Sequence, residues 1–387
     1  MAIDDPATPR TVSPRRRPQP VAISVTVPEE DMSYPVLLGP GMMERLGLEV
    51  RKRHPNATRV ALVSDDNVMS LHGDAAASSL RVEGYEVHVH VVPAGEETKN
   101  PAQMLGLVQA FVEDRLSRRD VVVALGGGMV GDLSGLAAAL FMRGIAVVQC
   151  PTSLLAQVDA SVGGKVAVDL PAGKNLLGTF NFPSFVLIDP LVLRTLPDRE
   201  LACGLAEMLK HGALFSEEHF DSVVGSAEKV FARDPPTLVT LVATSVALKA
   251  HCVSRDPREQ TPGGRGRAVL NLGHTLGHAL ELVSEFGLQH GEAVALGLRA
   301  AARISERRAV CGPGLEARMV RALRELRLPT DLDYWLAQDR VAGVERALAH
   351  DKKRASHRVH YIALARVGQS ATLSLTPAEI VGLLRVQ

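Results

Sequence analysis

The chain has 387 residues, 46% of them apolar, and 43 Lys plus Arg balance 43 Asp plus Glu. That length can fill two hydrophobic cores, and a zero formal net charge excludes the overall basic footprint of a nucleic-acid or membrane-surface binder, so any anion site must be local. Four cysteines, Cys150, Cys203, Cys252 and Cys311, form no CxxC pair, which argues against a disulfide framework or thiolate metal site and for a reducing cytoplasm.

Residues 1–20 hold five prolines and four arginines, including Arg15, Arg16 and Arg17, with almost nothing to bury. A disordered tail is expected, and the prolines with Asp4 and Asp5 spoil the basic amphipathic helix of a transit peptide. From Val21 the pattern changes to VAISVTV and then YPVLLG across a polar turn, which predicts a hairpin at a sheet edge. β-rich runs follow at 59–65, 87–92, 120–128, 146–151 and 185–190, separated by segments long enough for crossover helices. That alternation predicts an α/β domain over 21–190, Rossmann-like, with a mostly parallel sheet. Its longest apolar run, around 133–142, is about half of a membrane span, and the N-terminus lacks a signal-peptide stretch. Past Pro190 helical periodicity dominates to about Leu328, with a helix-compatible segment at 240–251. Residues 191–387 are therefore predicted as a mainly α-helical domain, closed by a strand pair, RVHYIALA and SATLSL, and a helix from Pro377.

The segment DVVVALGGGMVGDLSGLAAAL runs strand, glycines, helix. Gly126, Gly127 and Gly128 let backbone amides approach an anion at a helix N-terminus, although a tight βα turn has the same signature. Asp132 is placed to cap that helix or to bind a hydroxyl. Asp65 and Asn67 end an earlier strand, and Glu96, Glu97 and Lys99 follow the next, all at the carboxyl edge where open α/β sheets bind ligands. PTSLLAQVDASVGGKVAVDLPAGKNLLGTF then sets Thr152, Ser153, Asp159, Lys165, Lys174 and Asn175 among glycines. This reads as an anion-binding loop, with a solvated loop as the alternative.

In LNLGHTLGHALELVSEFGLQHGEAVALG, His274 and His278 leave one helix face and His290 returns after a turn. A catalytic zinc takes three protein ligands and keeps one position open. Upstream, GLAEMLKHG sets Glu207, Lys210 and His211 in one turn of an apolar helix, where a buried Glu needs a partner such as a metal. Helical spacing leaves open which histidines bind.

With GGGMVGD, FMRG, PTSLLAQVDASVGGK, GKNLLG, GLAEMLKHG, LNLGHTLGHALE, HGEAVALG and DKK in order, the chain resembles the 3-dehydroquinate synthases of the sugar phosphate cyclase family. The resemblance implies an N-terminal NAD-binding domain, a helical metal domain and an active site in the cleft between them. It implies Glu207, His274 and His290 as ligands to Zn2+ or another divalent metal such as Co2+, with His278 facing substrate. Asp65, Asn67, Glu96, Glu97, Lys99, Gly127, Gly128, Met129, Asp132, Thr152, Ser153 and Lys174 fall to NAD. Arg143, Asp159, Lys165, Asn175, Lys210, Lys249, Glu259, Arg267, Asn271, His278 and the pair Lys352 and Lys353 fall to a substrate with a carboxylate and a phosphate, 3-deoxy-D-arabino-heptulosonate 7-phosphate. The FMRG arginine crosses from the other subunit in related enzymes, which implies a homodimer. Ser153 replaces a frequent Thr and keeps a hydroxyl; Asp169 replaces a frequent Asn and puts a charge near Lys165. Three rivals stand beside it: a cyclase acting on sedoheptulose 7-phosphate, whose substrate has no carboxylate for Lys249 and Arg267; a metal-dependent polyol dehydrogenase, which would release NADH; and a non-catalytic binding protein, which should have lost a ligand or a lysine.

Overall fold

The computed structural model describes residues 32–285, 287–350 and 358–385. The tail, the VAISVTV run and the Lys352–Lys353 pair lie outside them. Runs rich in Val, Ala, Leu and Ile form the strands β1 (Val36–Leu38), β2 (Arg59–Asp65), β3 (Glu86–Val92), β4 (Val121–Gly126), β5 (Ala146–Pro151) and, after a separate hairpin of β6 (Lys165–Leu170) and β7 (Gly173–Phe180), β8 (Phe185–Ile188); β2, β4, β5 and β8 are covered on both faces, whereas β3 at the edge is largely open. The six sheet strands are all parallel, in the order β1-β8-β5-β4-β2-β3. β1 lies at the sheet edge, as expected, and pairs in parallel with β8, Val36 opposite Val186; the VAISVTV arm expected beside it is outside the described residues.

Alternation along each strand divides the apolar side chains between two layers. Val121, Val123 and Leu125 of β4 face Leu46, Val50 and Leu80 of helices α1 (Leu46–Arg53) and α2 (Asp74–Val82). Val122 faces Phe111 and Leu133 of α3 (Pro101–Glu113) and α4 (Gly128–Leu140). The chain steps outward from β2 to β3 and then back to β4, so the connections diverge between β2 and β4, and the crevice rule for α/β sheets points to their carboxyl ends.

The 165–180 segment corrects one expectation, since it is not a loop. β6 and β7 form an antiparallel hairpin, Lys165 opposite Phe180 and Val168 opposite Leu177. Val166 and Val168 are buried against α4, where any side chain on Gly135 would strike Val166. That two-residue alternation was present in KVAVDL, but the flanking glycines masked it.

Beyond Pro190 come α5 (Asp198–Phe215), α6 (Glu217–Gly225), α7 (Pro235–Arg255), α8 (His274–Val283), α9 (His290–Arg307) and α10 (Leu315–Glu325), then α11 (Val341–His350), the antiparallel pair β9 (Val359–Arg366) and β10 (Gln369–Leu375), and α12 from Pro377 to Leu384. Among the described residues α7 is long and apolar enough to cross a membrane by length and composition alone. Its Leu238, Leu241 and Val242 are packed in the helical core, and its Lys249 is buried in a polar cluster. That core also takes in Leu154, Val158, Val186 and Ile188 from the α/β part. Packing is therefore continuous across residue 190, and Tyr34–Gln387 forms one compact unit.

Candidate active site

At the β4 end, Gly127 is the N-cap of α4 and no side chain caps the helix. The first-turn amides, which have no partner within a helix, are left open to an anion. The glycines do different jobs. A Cβ at Gly126 would meet Val130 at 2.6 Å and one at Gly131 would meet Gln149 at 2.7 Å, whereas at Gly127 the nearest atom is Ser153 Oγ at 3.6 Å. Two of the three thus serve packing, and the backbone at 127–128 faces the crevice. Thr152 N donates to Gly126 O at 2.9 Å, which brings the β5 end alongside.

Asp65 ends β2 buried, its Oδ1 accepting from Val68 N at 2.9 Å, with Asn67 exposed beside it. Glu96 and Glu97 are exposed in the loop after β3, and Lys99 is 5% exposed, its Nζ 2.6 Å from Asp132 Oδ2 and 2.5 Å from Asn175 Oδ1. Asn175 is thereby tied to the loop after β3. Lys174, expected at NAD, reaches Glu281 Oε1 at 3.1 Å and Glu96 Oε1 at 3.7 Å. Asp169 does not add its charge near Lys165: its Oδ1 accepts from Asn175 N at 2.7 Å and its field acts on Lys99 and Lys174. Four residues along a strand carry position 169 about 13 Å from Lys165.

Under this crevice lies a buried polar cluster. A π-helical turn at Ala156–Ala160, a form frequent at functional sites, carries Asp159. One carboxylate oxygen meets Lys249 and stands 3.8 Å from His211 Nε2; the other accepts from Lys210 at 3.5 Å. Lys249 also donates to Asp159 O at 2.5 Å. Burial works against ionisation of Asp159, but Lys210 and Lys249 outweigh it and hold the carboxyl well below its usual range. Next to it, Gly163 takes φ 108°, its carbonyl accepts from Arg267 Nη1 at 2.7 Å and its amide donates to Tyr34 Oη at 2.8 Å. A side chain there would strike the guanidinium. Arg267 is 3% exposed, donates also to Pro257 O at 2.8 Å, and keeps a buried Nε without a hydrogen bond; no carboxylate pairs with it among the described residues. Asp256 fixes its backbone, accepting from Arg267 N at 3.0 Å. Exposed Lys165 pairs with Glu259, which adopts φ 51°.

Glu207 projects from the buried face of α5 into this cluster with no exposed surface, in contact with Lys210. Neither carboxylate oxygen has a well-formed hydrogen bond. Its Oε1 lies 3.5 Å from His274 Nε2 and 3.4 Å from His290 Nε2. Tetrahedral zinc with ligands at 2.0–2.1 Å sets its donor atoms about 3.3 Å apart, so the three side chains fit a metal. His274 Nδ1 lies 3.0 Å from Leu272 O; a carbonyl only accepts, so the proton is on Nδ1 and Nε2 is left with its lone pair. Without a metal the site holds charge in another form. Burial opposes a charged His290, but Glu207 and Glu281 raise it to about 10; burial and Lys210 push His274 down to about 3. Burial would raise Glu207, yet Lys210 and His274 bring it to about 2. Two carboxylates that stay ionised in a buried site and keep a neighbouring imidazole protonated make a site for a cation.

His278 is exposed one turn along α8, its ring 5.4 Å from that of His274, and Asn271 is exposed just before the helix. Arg143 is not brought to this cluster. It follows the 13-residue α4, about 20 Å from the glycine turn, exposed just before β5 begins at the opposite edge of the sheet. Two residues absent from the sequence-based site are here. Glu281, 2% exposed, sits 3.5 Å from His290 Nδ1; its spacing of seven from His274 along α8 was the available signal. His211, fully buried with neither ring nitrogen hydrogen-bonded, was visible as the polar neighbour of Lys210.

Residues 89–203 match the family 3-dehydroquinate synthase N-terminal, and residues 204–354 match 3-dehydroquinate synthase C-terminal. A 3-dehydroquinate synthase of Symbiobacterium thermophilum is 45% identical over 337 residues, 87% of this chain and 92% of that protein. One from Caulobacter vibrioides is 44% identical over 304 residues, 78% and 81% of the two chains. Among solved structures, the 2-epi-5-epi-valiolone synthase ValA of Streptomyces hygroscopicus, with NAD+ and Zn2+ bound, superposes with a TM-score of 0.83 at 28% identity, covering 93% of this chain and 98% of its own. A probable glycerol dehydrogenase from Sinorhizobium meliloti, with a TM-score of 0.62 at 15% identity over 90% and 95% of the chains, shares the fold alone.

Proposed function

The chain belongs to the 3-dehydroquinate synthase family, and on that premise we propose how its own residues divide the work of converting 3-deoxy-D-arabino-heptulosonate 7-phosphate to 3-dehydroquinate and phosphate. The observation that carries the reading is Glu207, a fully buried carboxylate lacking well-formed hydrogen bonds and 3.4–3.5 Å from two imidazole nitrogens. NAD, when bound, supplies a transient oxidation at C5 and the metal polarises that oxygen, so that phosphate elimination, return of the hydride, ring opening and aldol closure leave no net oxidation.

Gly127, Gly128 and Met129 would receive the dinucleotide phosphates on open amides, with Asp65, Asn67, Asp132, Thr152 and Ser153 around the same carboxyl edge. Glu207, His274 and His290 would hold the metal. Arg267 is the buried cation without a carboxylate, which suits it to a substrate anion, with Lys165 and Lys249 supplying further charge. Lys210 sits between Glu207 and Asp159; burial would lower it, but the two carboxylates raise it, so it stays an ammonium that orients them. Proton handling at the reacting carbon falls instead to the exposed His278.

A homodimer belongs to this reading, because Arg143 stands at the wrong edge of its own sheet and would serve a neighbouring site. A cytoplasmic location does too, supported by four unpaired cysteines. The test is product accounting. Given the heptulosonate phosphate, catalytic NAD and zinc, one phosphate should appear per substrate while free NADH does not accumulate. NADH build-up without phosphate would indicate a dehydrogenase, and a preference for sedoheptulose 7-phosphate, which lacks the carboxylate, would overturn the substrate.

A further inference from the structure

We infer that Glu281 is a positioning residue for the metal ligand His290 and that, through Lys174, it lets the cofactor crevice set metal affinity. This rests on the metal assignment above. Glu281 lies on α8 between His274 and His290 in sequence and is almost wholly buried, and one of its oxygens, Oε2, has no hydrogen bond. The other, Oε1, is shared: His290 Nδ1 stands 3.5 Å from it and Lys174 Nζ 3.1 Å. A carboxylate on the far nitrogen of a ligating imidazole fixes its tautomer and raises its basicity. His274 gets only a backbone carbonyl in that role, so Glu281 is the ionic support of the triad.

Lys174 comes from β7, on the α/β side. It also reaches Glu96 at 3.7 Å, and Glu96 stands 4.0 Å from Lys99, which in turn holds Asp132 of α4. Polar contacts therefore run from the metal triad to the glycine-led helix. The ammonium competes with His290 for one carboxylate oxygen. Whatever draws Lys174 toward the crevice releases Glu281 to His290 and strengthens the metal site, and by linkage metal binding favours the dinucleotide.

Zinc affinity of the full-length protein, measured by competition with a chelating dye, tests this without reference to turnover. Glu281→Gln keeps the shape and removes the charge, and should weaken zinc about ten-fold or more. Lys174→Met, at a partly exposed position, should leave zinc as tight or tighter. NAD should tighten zinc in the wild type by about five-fold, and Lys174→Met should lose that response. Wild-type affinity in Glu281→Gln, equal weakening in both variants, or an undiminished NAD effect in Lys174→Met each overturns the inference. Failure of the wild type to bind zinc would bring down the metal assignment and the inference together, and is distinguished by the wild-type titration alone.

Discussion

Replacing Arg267 by Met removes the guanidinium that donates to Gly163 O and Pro257 O and leaves its Nε without a partner. If that buried cation receives a substrate anion, truncating it in a desolvated site costs about 2–5 kcal/mol of binding, or about thirty-fold to more than a thousand-fold in Kd. Stability falls as well, because two carbonyls lose a charged donor, each bond worth about 1.5–3 kcal/mol. Arg267→Lys is the necessary companion. It keeps the charge but cannot hold two carbonyls in a fixed fork while offering another N–H, so its substrate Kd should fall between wild type and Met. Calorimetric titration of substrate and of NAD, with thermal melting as a control, separates binding from folding. NAD affinity should be unchanged in both variants, since the glycine turn is built from other segments. A matched loss of substrate and NAD affinity, or unaltered substrate binding in Arg267→Met, would refute the anion role.

His274→Ala should lose the metal, measured by elemental analysis of the purified protein, whereas His278→Ala should retain it with impaired turnover; the reverse pattern would exchange their roles. His219 is buried with its Nε2 2.9 Å from Ser245 Oγ, and burial lowers its pKa to about 4. Above the unfolded value of 6.5 the imidazole is neutral in both states and stability is fully present. Below it only the unfolded chain takes up the proton, so stability falls down to about pH 4. At pH 5 the loss is roughly 2 kcal/mol, and His219→Gln should show that much less difference between the unfolding free energies from urea titrations at pH 7 and pH 5.

The α/β half was legible in the sequence because its strands are short, continuous apolar runs spaced by crossover segments, a pattern that survives without any tertiary information. Residues 59–65 and 146–151 were read to the residue. KVAVDL was missed because glycines on both sides signalled a loop, and β1 was read as an edge strand although periodicity carries no pairing direction. In the helical half the sequence marked His274, His278 and His290, and helical spacing alone left open which of them share a metal. The fold brings Glu207, remote in sequence, to the same side as His274 Nε2 and His290 Nε2, while His278 is turned outward. The same limit explains Lys174, Asn175 and Glu281. Residue type and local period report which side chains can do chemistry and which face of an element they share. Which carboxylate a lysine meets across a hundred residues is set by packing of elements whose contacts have no local signature, and only the tertiary structure decides it.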